Sequence, residues 1–62
     1  MSGEEELLRE RIDDLLLRIK GLVHVRALLE DRGASFLEIH QHTLEIERLR
    51  AQLAELVKES AA

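Results

Sequence analysis

Three histidines and one glutamate have the widest chemical scope in this chain of 62 residues. His24, His40 and His42 can each ligate a metal through a ring nitrogen, and Glu38 can offer a carboxylate oxygen. On a helix His40 and His42 stand about 200° apart, so their rings leave on different faces and cannot chelate one ion together. Glu38 and His42 have the i, i+4 spacing and share a face. Two such pairs related by a two-fold axis, with His24 in the neighbourhood, would make a tetrahedral zinc site. The sequence therefore admits two states, no cofactor or zinc. The same residues read also as a hydrogen-bonded polar layer that fixes helix register, as polar residues at core positions do in coiled coils. Arg26 falls near the same end, within reach of Glu30, Glu38 or Glu45, and a layer of this kind would make assembly sensitive to pH.

Other reactive chemistry is thinly supplied. The chain has no Cys, its serines fall at helix caps or in the tail, and it has no glycine-rich phosphate loop. A non-enzymatic protein is expected. A formal charge of −4 argues against broad attraction to nucleic acid or to an anionic membrane. Arg9, Arg11, Arg18 and Lys20 are interleaved with Glu10, Asp13 and Asp14, a pattern that suits a solvated helix face better than a basic stripe.

The elements that carry these residues follow from composition and punctuation. Apolar residues make up 45% of the chain and charged ones 35%, with no Pro and a single aromatic residue, Phe36. That is the profile of a helical bundle or coiled coil. Runs such as Leu15-Leu16-Leu17 fall far short of the roughly 20 apolar residues that span a bilayer, so a cytoplasmic protein without a membrane segment is expected. Ser2 with Glu5, and Ser35 with Glu38, have the spacing of a capping box, and Glu4, Glu5 and Glu6 suit the positive end of a helix dipole. Gly33 is a natural stop. The spacing predicts one domain, residues 1–62, with a helix over 3–31, a loop over 32–35 and a second helix over 36–59, beyond which Ser60-Ala61-Ala62 frays. So short a loop makes the helices antiparallel neighbours.

Apolar spacing locates the seam between them. Leu8, Ile12, Leu15, Ile19, Leu22, Arg26 and Leu29 alternate four- and three-residue steps on the first helix, and Ile39, His42, Ile46, Leu49, Leu53 and Leu56 do so on the second. Arg26 and His42 are the polar members. Leu16 and Val23 widen the first stripe; Phe36, Ala54 and Val57 widen the second. Arcs this broad face more than one neighbouring helix. A chain below about 70 residues seldom stabilises a single core without disulfides, metal or oligomerisation. The expected fold is all-α, an antiparallel two-helix hairpin that assembles as a homodimeric four-helix bundle.

A second apolar stripe occupies the far side of both helices, with Leu17, Gly21, Val25 and Leu28 on the first and Leu37, His40, Leu44 and Ala51 on the second. Gly21 is unfavourable inside a helix by about 1 kcal/mol relative to Ala, so its presence there points to close approach of another helix or ligand, or to simple tolerance in a long helix. A second protein partner at the loop end is one reading of this stripe.

The length and the hairpin layout resemble Rop-like proteins, the plasmid RNA-binding regulators in which two hairpins form a four-helix bundle. The likeness is one of size and arrangement. It implies the dimeric bundle and, for RNA binding, an exposed basic stripe that these residues do not form. Separately, Leu8-Arg9-Glu10-Arg11-Ile12-Asp13 with the later Arg26 resembles the first helix of the all-helical chorismate mutases, which implies carboxylate-binding roles for Arg9 and Arg26. That family's downstream Lys and Asp-x-x-Arg-Glu segment have no counterpart between Ser35 and Arg50, and Arg9 and Arg26 lie about 100° apart on the wheel.

The function expected is a self-associating protein-interaction module, acting as a small regulator, adaptor or docking protein; the alternative is a His-mediated, zinc- or pH-dependent oligomer. The regular caps and the Met1-Ser2-Gly3 start would also suit a designed sequence, although the seven Arg against two Lys and the internal Gly21 are less idealised.

Overall fold

The turn decides the topology. A computed structural model of the chain describes residues 3–61, in which α1 spans Gly3–Asp31 and α2 spans Phe36–Ala61. Gly33 has φ of 72°, in the left-handed region that glycine reaches without steric penalty. Around it the Gly33 amide donates to the Glu30 carbonyl at 3.0 Å, and the Ala34 amide donates to the Leu29 carbonyl at 2.9 Å. These are the paired bonds of a Schellman stop, which satisfy carbonyls that the helix end would otherwise leave bare.

The chain re-enters a helix at once. Ser35 Oγ accepts the Glu38 amide at 3.2 Å, and the Ser35 carbonyl accepts the Ile39 amide at 3.2 Å, which makes Ser35 the N-cap of α2. The corresponding cap expected at Ser2 lies outside the described residues, as does Ala62. At its other end α2 runs to Ala61, past the end expected at Glu59. Ser60 and Ala61 continue the helix there.

The two helices lie antiparallel in a pair with extents of 48 × 15 × 11 Å. Its radius of gyration is 14.5 Å, against about 11 Å for a compact domain of this length. Leu15, Ile19, Ile46 and Leu49 are buried where the helices cross mid-length, and Leu22, Val23, Leu53 and Leu56 pack against them. Leu8, Ile12, Leu29 and Ile39 are half-buried along the same line, as are the two polar seam members, Arg26 and His42. Every position of the two expected seams is thus at least half-buried, but only the central turns are closed off from solvent.

A candidate protein-binding surface

The geometry offers three features: a polar crossing near the loop, a charged groove near the open end, and apolar surface that the hairpin leaves uncovered. The polar crossing is built around Arg26. Its guanidinium donates to Thr43 Oγ1 at 3.3 Å, and the Thr43 hydroxyl donates in turn to the Ile39 carbonyl at 3.1 Å. Nε of Arg26 also sits 3.9 Å from a Glu30 carboxylate oxygen. Of the acids within expected reach, Glu30 is the one that it meets. Thr43 is the partner that seam spacing did not indicate, because it stands one residue beyond His42, on the flank of the stripe. This chain of bonds satisfies a half-buried cation and ties the two helices in one register. It also occupies Arg26, and Arg9 stands exposed on another part of α1.

The histidines are dispersed. His42 Nδ1 is 3.1 Å from the Glu38 carbonyl; a carbonyl only accepts, so Nδ1 carries a proton, and in the neutral imidazole Nε2 is then the nitrogen with the lone pair. His40 is exposed and stacks flat on Phe36, ring centroids 5.9 Å apart. His24 is exposed on α1. Among the described residues no group of three His, Asp or Glu side chains is placed to hold a metal ion. Within one chain, then, Glu38, His42 and His24 are not brought together as a ligand set.

Near the open end the helices flank a groove with Leu15 and Leu56 at its floor and Arg11, Arg18, Arg48, Asp14 and Glu55 at its walls. Arg48 pairs with Glu45 along α2, and Glu55 lies 3.7 Å from Lys58. Acids and bases are mixed here, so the groove presents no field of one sign.

The uncovered surface is the larger feature. A folded protein of this mass exposes about 4,100 Å², whereas this hairpin exposes 5002 Å². The excess, about 900 Å², is close to the roughly 800 Å² that one partner loses in a standard interface. The exposed side chains include large apolar ones: Leu16, Phe36 and Val57 on the widened stripes, and Leu17, Val25, Leu28, Leu37 and Leu44 on the far stripes. The far stripes do not form one surface. Leu17 lies opposite the seam on the back of α1 and Leu37 and Leu44 on the back of α2, while Val25 turns toward one flank of α1. Gly21 belongs to the α1 stripe, and a Cβ added there would meet nothing within 4 Å among the described residues outside its own helix turns.

No described helix is long and apolar enough to cross a membrane. No family model matches the sequence, and no curated protein and no solved structure matches it, so the likenesses to Rop-like proteins and to the chorismate mutases remain ones of layout and of a short helical segment.

Proposed function

We propose that this chain is a non-enzymatic, self-associating interaction module, a helical hairpin that pairs with a second copy to form a four-helix bundle and in that state serves as a small regulator, adaptor or docking protein. The observation that carries this reading is the excess of about 900 Å² of exposed surface beside only four buried side chains among the described residues. Hydrophobic burial at about 25 cal/mol per Å² is the dominant favourable term in folding, and a single helix-to-helix contact supplies little of it. A second copy covers the remaining arcs. The test is molar mass by light scattering across a range of chain concentrations. The reading predicts about 14 kDa, twice the 7.1 kDa of one chain, and a mass of one chain throughout contradicts it.

A second reading rests on the His42 geometry. With Nδ1 held by the Glu38 carbonyl, Nε2 of the imidazole is preset as a metal ligand, the arrangement that backbone carbonyls commonly impose on metal-binding histidines. Across a two-fold axis, His42 and Glu38 of each copy would then bind zinc and couple it to dimer formation. Its test is the same mass measured with added zinc and with chelator. A mass that follows the metal supports zinc-dependent assembly, and an unchanged mass refutes it.

A further inference from the structure

The seam divides the hairpin into two unlike flanks, and the difference identifies the face a second copy uses. Advancing α1 in steps of seven places Leu16 and Val23, with Arg9 and Glu30 at the ends, in the column just past the seam. The same column on α2 holds Phe36, Thr43, Arg50 and Val57. Because the helices run in opposite directions, these two columns lie on one side of the pair. On the other side α1 presents Arg11, Arg18 and Val25, and α2 presents Glu38, Glu45, Gln52 and Glu59.

The second flank is therefore basic on one helix and acidic on the other, which favours the antiparallel pairing of the hairpin itself. The charged groove walled by Arg11 and Arg18 belongs to this side. Covering it would strip water from several charges, at a cost that imperfect pairing does not return. The first flank carries the opposite character. Leu16 is 41% exposed, Val57 48% and Phe36 84%, and Ala27 and Ala54 border them with side chains small enough to let a helix approach. Arg50 is the charged member within it, and its aliphatic stem can lie on apolar surface with the guanidinium at the rim.

Resting on the self-association proposed above, we infer that two copies pack through the flank bearing Leu16, Val23, Phe36 and Val57, and leave the Arg11–Arg18 and Glu45–Glu59 flank and the backs of both helices in solvent. The occupant is a second copy for two reasons. The surplus area matches what one partner of a standard dimer buries. This flank also runs from Val57 near the open end to Phe36 beside the loop, the full-length strip that side-by-side helices of a bundle need, whereas the stripes on the backs of the helices concentrate toward the loop.

Charge-pair complementation tests the face. A chain with Leu16→Glu and Val57→Glu, and another with Leu16→Lys and Val57→Lys, each place like charges in the interface of their own dimer. Each alone should lose the dimer mass, with a dissociation constant raised at least about 100-fold. An equimolar mixture should recover it, together with helical circular dichroism, even if each chain alone is unfolded. A control with Leu37→Glu and Leu44→Glu, on the back of α2, should retain the dimer. If the flank variants keep the dimer, if their mixture stays apart, or if the control is the one that dissociates, the face is wrong. A wild-type mass of one chain at every concentration would instead remove the self-association itself.

Discussion

Leu49 and Leu37 permit a comparison in which the chemistry is constant and only burial changes. Leu49 is 0% exposed beside Leu15, Ile19 and Ile46, and Leu37 is 63% exposed on the back of α2. Leu49→Ala removes apolar carbons worth about 0.8 kcal/mol each in transfer and leaves a cavity that a crossing with so few side chains only partly closes. The loss should be about 3 to 4 kcal/mol per chain. For a chain of this length the whole stability is about 3 to 9 kcal/mol, so the variant should lose at least about a third of it. Leu37→Ala gives up a side chain already in water and gains a little helix propensity, so its change should stay within about 0.5 kcal/mol of zero. Urea unfolding followed by circular dichroism, with all proteins at one chain concentration, measures both. Equal losses for the two variants would refute the reasoning, because they would mean that the loop-end stripe on the back of α2 is buried as deeply as the seam.

Three further outcomes follow from the turn and the seam. Gly33→Ala should destabilise by about 1 kcal/mol through backbone strain alone, since φ is 72° and the added Cβ meets nothing within 4 Å; an unchanged urea midpoint would contradict this. Asp31→Lys should stabilise by about 0.3 to 1 kcal/mol, because the last turn of α1 carries no basic residue and sets acids against the negative end of the helix dipole, and the gain should shrink in 1 M salt. Ile46→Asp, at a site 1% exposed, should abolish mass and helicity together, and a variant that remained a folded oligomer would displace the seam.

The local features were the most legible. Gly33 and Ser35 have few conformational alternatives, and the structure uses one as a left-handed stop and the other as an N-cap. Seam positions could be read because alternating steps of three and four leave a single face for burial. Arg26 shows where that reading thins out: its spacing marked it as a polar seam member, but its partner Thr43 sits off the stripe, and only the rotation of α2 against α1 brings the hydroxyl to the guanidinium. The far stripes show a second gap. Leu17 and Leu37 each complete an apolar pattern on their own helix, yet the antiparallel pairing turns them to opposite outer sides, which no pattern along one helix can reveal. Spacing separates His40 from His42 but leaves the neighbour of each histidine ring open. On the helices His40 turns to Phe36, His42 to the Glu38 carbonyl, and His24 to solvent.

If two copies fold only together, the midpoint of thermal unfolding depends on chain concentration. For a dimer that unfolds to separate chains, raising chain concentration 100-fold adds about 2.7 kcal/mol of stability per dimer, which at the usual unfolding entropy for twice this length raises Tm by about 10 °C. That rise is the expected result. A Tm that stays constant over the same range would show a hairpin stable by itself and would rule out folding coupled to dimer formation.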